Sequence, residues 1–348
     1  MANNNINLQA AKDLKDDEFY TTYECIEEEL SHYTRHFRGQ TVLCNCDDPY
    51  ESNFFKYFAL NFNTLGLKKL IATCYDGSPV AGEEMPLLFE ITKTEPRKIA
   101  YKVVITEVAD YNGDGTINLA DVQYLIQNDK NVLSLLKGNG SFDSAECVEL
   151  LKEADIIVTN PPFSLFKELV SLLVKYDKKY LLIGNQNALT YKEIFPLIQK
   201  NKAWTGYRFG EMKFRVPAGS LPRNTRFWID EDGQKWRSLG NAMWLTNMDI
   251  DRRHQKLKLT KVYSAEEYPK YDNYDAINVR TINDIPMDYP GIMGVPITII
   301  NKYNPEQFEL IGEANHGSDN EFDLFKPLVN GKLLFKRILI RNRMPVQR

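Results

Sequence analysis

Long apolar runs are missing from this sequence: none approaches the ~18 residues that a membrane-spanning helix needs. The opening stretch, MANNNINLQAAKDLKDDEF, is polar and acidic and has no apolar core of a secretory leader, so a cytoplasmic location is expected. Histidine is scarce, with four in the chain and none at a ligand-like spacing, which argues against a zinc site. Cysteine is confined to Cys25, Cys44, Cys46, Cys74 and Cys147, without a CxxC or disulfide-like pattern; reduced, buried thiols are expected. Cys44 and Cys46 flank Asn45 on an expected strand, so both should point to one face and pack there. Internal repeats and low-complexity blocks are also absent. What is present is a chain of 348 residues, 43% of them apolar, enough to build one large α/β domain and a smaller one.

Charge is unevenly placed. Residues 1–199 carry 19 Lys and Arg against 29 Asp and Glu, whereas residues 200–348 carry 24 against 18. The tail KLLFKRILIRNRMPVQR holds six basic residues and no acid, and Lys202 to Arg226 holds six with only Glu211 against them. Such segments suit either a solvated face or a polyanion footprint.

From Thr41 onward, short aliphatic or β-branched runs alternate with helical periodicity. TVLCN, KKLIATCY, ADIIVT and KKYLLIG read as strands. NFFKYFALNF and SLFKELVSLLVKYD read as helices, the latter with Leu165, Phe166, Leu169, Val170, Leu172 and Leu173 on one stripe. Repeated βα units predict an α/β fold with a parallel, doubly wound sheet and ligands at the carboxyl ends of its strands. After about Trp204 the texture becomes hairpin-like and then irregular and Tyr-rich. A boundary near Asn247 is expected, giving a first domain of residues 1–248 and a second of 249–348.

The stretch DIIVTNPPFSLF, Asp155 to Phe166, places an Asn and two prolines where strand passes into helix. Proline has no N–H and a fixed φ, so the turn is rigid and its carbonyls meet no neighbouring donor. The side-chain oxygen of Asn160 and the carbonyl of Pro161 then form a pair of acceptors matched to the two hydrogens of an exocyclic amine, and the Phe163 ring can stack on a base. Accepting both hydrogens draws the nitrogen out of conjugation and frees its lone pair for attack. Asn160, Pro161, Pro162 and Phe163 are the catalytic candidates; a plain strand-to-helix turn is the bland alternative.

NPPF resembles the fourth motif of the amino-group methyltransferases that use S-adenosylmethionine. DDEFYTTYECIEEEL, VLCNCDDPYESNFFKYFALNF, LGLKKLIATCY, ADIIVTNPPFSLFKE and IGNQNALTYKEIF together resemble the EcoRI modification methylase family, adenine-N6-specific DNA methyltransferases. The resemblance covers most of residues 16–200. It implies a Rossmann-like methyltransferase sheet binding S-adenosylmethionine, with a C-terminal, less regular target-recognition region at 249–348. DEFYT resembles the N-terminal cofactor motif, giving Phe19, Tyr20 and Thr21. NCDDPYESNF resembles the turn after the first strand, giving Asn45, Asp47, Asp48, Pro49 and Asn53, although Glu51 and Ser52 stand where many relatives have small residues. Tyr75 and Asp76 fall where related enzymes hold the ribose, and GNGSFD, with Phe142 and Asp143, resembles the segment that holds the cofactor's adenine. The order of these motifs, with the divergent segment last, implies double-stranded DNA as partner and gives the basic half a reason. The target adenine would be flipped out of the duplex at a cost of a few kcal/mol. A cognate restriction endonuclease is a further implied partner.

One motif lies outside this resemblance. DYNGDGTINLAD, inserted at 110–121, places Asp110, Asn112, Asp114, Thr116, Asn118 and Asp121 at the spacing of an EF-hand or dockerin-like loop, with Gly115 at its sharp turn. The expectation is a structural Ca²⁺ site; the alternative is an Asx-rich turn capping the helix that follows. Rival functions are an amino-methyltransferase acting on RNA or protein glutamine, and a non-catalytic nucleic-acid or scaffold-binding protein. Trp204, Trp228, Trp236 and Trp244 are read as packing residues, with one near Arg226 able alternatively to wedge into DNA, and His254 beside Arg252 and Arg253 as a solvated or phosphate-facing cluster.

Overall fold

The structure is a computed structural model and describes residues 19–46, 49, 52–76, 100–129, 132–216, 219–314 and 326–347. They form two compact units: the chain up to residue 186 joined by 208–248, and 187–207 joined by 249–348.

The larger unit is built on one sheet. Its strands are β1 (Tyr20–Thr21), β2 (Thr41–Cys44), β3 (Lys69–Cys74), β4 (Tyr101–Ile105), β5 (Leu133–Leu135), β6 (Ile156–Thr159), β7 (Lys179–Asn185), β8 (Trp204–Arg215), β9 (Phe227–Ile229) and β10 (Lys235–Thr246). The order is β1-β8-β10-β7-β6-β2-β3-β4-β5, with β9 on β10. The centre is parallel: β2 pairs with β3 and β6, and β6 with β7. On either side, β4, β5 and β10 run antiparallel to their neighbours. Every residue of β2 and β6 is buried, which is why both read as unbroken aliphatic runs rather than alternating ones.

Helices connect these strands. They are α1 (Tyr23–Leu30), α2 (Thr34–Phe37), α3 (Asn53–Leu60), α4 (Phe62–Leu65), α5 (Leu119–Asn128), α6 (Ala145–Glu153) and α7 (Phe166–Lys175). The hydroxyls of Thr22, Ser52 and Ser144 cap α1, α3 and α6 by accepting the N–H three residues on. In α7, Phe166, Leu169, Val170 and Leu173 are buried, while Leu165 falls in a 3₁₀ turn ahead of the helix. Phe166 lies against β7 so closely that a Cβ on Gly184 would come within 2.5 Å of its ring.

The chain leaves β2 towards β3 on one side and leaves β6 towards β7 on the other. The order therefore reverses between β2 and β6, and the crevice beyond their carboxyl ends is where a doubly wound sheet binds its ligands. One local expectation is corrected here. β2 stops at Cys44, and Cys46 has φ 72° in the following turn, so the two cysteines do not share a strand face. The chain has to turn at that point because the crevice begins there.

The smaller unit contains α8 (Phe195–Gln199) and a four-stranded sheet of β11 (Ile277–Asn278), β12 (Ile292–Pro296), β13 (Phe308–Ala314) and β16 (Arg337–Asn342), ordered β11-β12-β16-β13. Met293, Val295, Phe308, Ile338, Leu339 and Ile340 are fully buried in it. Between β13 and β16, β14 (Leu328–Val329) and β15 (Lys332–Leu333) form a separate hairpin. Among the described residues no helix is long and apolar enough to cross a membrane.

Candidate active site

Asn45 and Asn160 are the first residues beyond β2 and β6, and so stand side by side at the reversal of strand order. The Thr159 hydroxyl donates to the Asn45 carbonyl and ties the two strand ends together. Asn160 is 6% exposed. Its Nδ2 donates to the Phe19 carbonyl, and also to the Thr21 hydroxyl at 3.3 Å. A backbone carbonyl only accepts, so the nitrogen of the amide must face Phe19 and Oδ1 must face away. That oxygen is buried and has no hydrogen-bond partner among the described residues, and the same is true of Asn45 Oδ1. A buried acceptor left in this state costs about 1–3 kcal/mol. Two of them at a strand-end crevice are what a ligand with N–H groups would complete.

The turn after Asn160 is stiff. The Pro162 carbonyl accepts from Leu165 N–H at 2.9 Å, which starts the 3₁₀ turn leading into α7. The half-buried ring of Phe163 lies 5.3 Å from that of Phe19 at 36°, and Phe19 in turn lies 5.4 Å from Phe214. The Arg237 guanidinium sits 5.1 Å over the Phe19 ring.

The N-terminal candidates meet this turn. Thr21 is buried, and its carbonyl accepts from Asn53 Nδ2 at 2.8 Å, where Asn53 opens α3. Tyr20 lies on β1 opposite Arg215, whose guanidinium is 5.3 Å over its ring. A cleft of 220 Å³ opens between Tyr20, Thr21, Asn53, Lys56, Arg215 and Trp236. Trp236 was read from the sequence as a packing residue, and Arg215 and Lys56 were not singled out. Trp236 is fixed by its Nε1–H to Asp230 (2.6 Å) and by stacking on Trp228 at 6.2 Å and 9°. Its only sequence signal is the pair of cations around it, Lys235 and Arg237.

The remaining cofactor candidates form a second group. Tyr75 and Asp76 follow β3, and Asp76 N–H donates to the Asn139 carbonyl at 2.9 Å. Gly140, at φ +74°, makes this contact possible: a Cβ there would stand 2.5 Å from the Cys74 carbonyl and 2.8 Å from Tyr75 Cα. Phe142 is buried, and the exposed Asp143 accepts from the Ser141 hydroxyl. Pro49 is buried, while Asp47 and Asp48 lie outside the described residues. Orphaned amide oxygens, a capped helix start at Ser52 and a backbone cradle closed by Gly140 fit a nucleoside joined to an amino acid.

The expected calcium site at 110–121 finds no support in the structure. Asp110 accepts from the N–H groups of Gly113, Asp114 and Gly115, and Asp121 from those of Tyr111, Asn112 and Asn118. Asp114 accepts from the Thr116 hydroxyl and from the amides of Asn112 and Asn118. Asn118 caps α5, and with Asp121 completes a capping box. The loop satisfies its own carboxylates. Among the described residues no group of three or more His, Cys, Asp or Glu is arranged to hold a metal ion.

The sheet thus carries Asn-Pro-Pro-Phe where its strand order reverses, with the Asn160 acceptor left open. The family model described as adenine-specific methyltransferase EcoRI matches residues 7–343. The chain is 48% identical to the Type II methyltransferase M.EcoRI of Escherichia coli, over 99% of each chain. It is 38% identical to the Type II methyltransferase M.MpnI of Mycoplasma pneumoniae, over 86% of this chain and 83% of that one. It is also 36% identical to the Type II methyltransferase M.MgeORF184P of Mycoplasma genitalium, over 86% and 84%. The chain belongs to the EcoRI family of adenine-specific DNA methyltransferases. Methyl transfer in such a family draws on S-adenosylmethionine. No solved structure matches the chain.

Proposed function

We propose that this methyltransferase acts on the N6 amine of an adenine turned out of duplex DNA, with Asn160, Pro161, Pro162 and Phe163 as the residues that receive it. The observation carrying this reading is the buried, unpartnered Oδ1 of Asn160, held in one orientation by the two acceptors on its Nδ2. Oδ1 accepts one amine hydrogen and the Pro161 carbonyl the other, so that the lone pair is presented to the methyl group. Phe163, backed by Phe19, lies against the face of the base. When bound, S-adenosylmethionine supplies a sulfonium methyl that is already activated. The protein's work is therefore alignment and polarisation of the amine.

The residues assigned to the cofactor are Phe19, Tyr20, Thr21, Asn45, Asp47, Asp48, Pro49 and Asn53 for its amino-acid end, and Tyr75, Asp76, Phe142 and Asp143 for its nucleoside. Asn45 Oδ1, 2% exposed and unpartnered, is an acceptor suited to an ammonium group. Residues 1–248 act as the catalytic domain and 249–348 as the target-recognition region. The basic excess beyond residue 200 supports phosphate binding. The enzyme works in the cytoplasm and shields its sites from a restriction endonuclease of the same specificity.

Purified protein incubated with tritiated S-adenosylmethionine and unmethylated duplex DNA should label the DNA at adenine N6. RNA and total cell protein, run in parallel, should stay unlabelled. Label in protein or RNA alone would reject the reading. Methylation-sensitive sequencing of the product gives the recognition site.

A further inference from the structure

The smaller unit carries an apolar feature that methyl transfer leaves unused. β14 and β15 turn across Asn330 and Gly331, whose φ angles of 50° and 72° are those a two-residue hairpin turn requires. Asp272 clamps this turn. Its carboxylate accepts from Asn330 N–H at 3.0 Å and from Gly331 N–H at 2.7 Å, and its own N–H donates to the Leu328 carbonyl at 2.9 Å. Leu334 N–H donates to the Pro327 carbonyl at 2.8 Å, closing the base.

The side chains on and just after the hairpin divide into a packed set and an exposed one. Val329 and Leu334 pack into a cluster with Tyr271, Ala276, Ala314 and Leu339. Leu333, at the end of β15, and Phe335, two residues beyond it, are 51% and 62% exposed. Two large apolar side chains thus stand in water beside the clamped turn, at a cost that a bound surface would remove. Lys326 and Lys332 beside them are exposed. From residue 326 to 348 the chain has seven Lys and Arg and no Asp or Glu.

We propose that the β14–β15 hairpin is a DNA wedge: Phe335, with Leu333 beside it, inserts against a base step of the bound duplex while Lys326 and Lys332 hold neighbouring phosphates. This rests on duplex DNA being the substrate. DNA offers apolar base faces within a polyanion, the combination this surface complements. A second copy of the chain would instead bring the same cations against each other in a self-complementary contact.

The test uses the full-length enzyme and a duplex carrying its mapped site. Phe335→Ala should bind that duplex on the order of ten- to a hundredfold more weakly, with an unchanged salt slope, because no phosphate contact is lost. Phe335→Trp should restore affinity and add an indole emission that DNA quenches. Lys332→Ala should lower the salt slope by about one. Wild-type affinity in Phe335→Ala, together with Phe335→Trp emission indifferent to DNA, would overturn the wedge. So would self-association in the ultracentrifuge that Phe335→Ala abolishes while DNA affinity stays unchanged. A wild-type enzyme that methylates no DNA would defeat the substrate reading, and the wedge with it. Methylation by the wild type with an inert Phe335 defeats the wedge alone.

Discussion

Asn160 and Phe19 lie 141 residues apart in the chain and are joined amide to carbonyl, Nδ2 donating to the Phe19 backbone oxygen. The N-terminal segment is therefore joined to the Asn-Pro-Pro-Phe turn, and it fixes which atom of the Asn160 amide stays unpartnered. Replacing Asn160 by Ala should lower kcat about a hundredfold or more. The melting temperature should also fall, because the Phe19 carbonyl loses the donor that Nδ2 supplied at a cost of about 1–3 kcal/mol, whereas the lost Oδ1 had no partner to leave behind. Asn160→Asp should fare no better, because it sets a carboxylate oxygen against the Phe19 carbonyl. Tritium transfer to DNA together with a thermal melt separates the two quantities, and near-normal turnover in a folded Asn160→Ala protein would defeat the assigned role.

Gly140→Ala tests the cradle. The added Cβ would meet the Cys74 carbonyl at 2.5 Å, and the φ of +74° disfavours any side chain. A cost of about 1–3 kcal/mol is expected. Because the displaced strand end carries Tyr75 and Asp76, KM for S-adenosylmethionine should rise more than kcat falls. Initial rates at varied cofactor, with DNA saturating, distinguish this from a general loss of fold.

The parallel centre of the fold was legible because buried strands must be aliphatic: TVLC, KLIATC, IIVT and KYLLIGN announce themselves by composition. The NPPF turn was legible because proline is costly in a strand or helix interior and signals a constrained backbone. Partners distant in sequence were not. Nothing local in Phe19 indicates that its carbonyl holds Asn160, and nothing in Trp236 indicates that it lines a cleft with Tyr20 and Thr21. The 110–121 loop was ambiguous in the sequence for a physical reason. Asx residues that would ligate an ion are also those that accept backbone N–H bonds, and spacing alone does not separate the two uses. The C-terminal sheet was hidden by short strands, two to seven residues long, broken by Pro and Gly.

Thr159→Val removes the hydroxyl that ties β6 to the end of β2. The Asn45 carbonyl loses that donor in a buried setting, which costs about 1–3 kcal/mol. Urea unfolding should show a lower midpoint with an unchanged slope, since the surface exposed on unfolding is the same. Turnover should fall as well, as Asn45 and Asn160 lose their common tie. A variant equal to wild type in both would show that the tie is unimportant.

Asp121 gives a prediction with a sign in pH. The Asn118 N–H, and after it those of Asn112 and Tyr111, hold its carboxyl below the usual carboxylate range. A carboxyl whose folded pKa is depressed adds stability that is complete above its unfolded value of about 3.9 and disappears as pH falls through the folded one. Asp121→Asn keeps the size but loses the charge and one acceptor, so it should melt below wild type at neutral pH. The gap in melting temperature should stay constant from about pH 8 to about pH 5 and close only below about pH 4. Amide exchange in α5 should follow the same course, because Asp121 and Asn118 close the capping box at its start. A gap that widened in acid would mean that Asp121 is held protonated, and that the cap works through some other group.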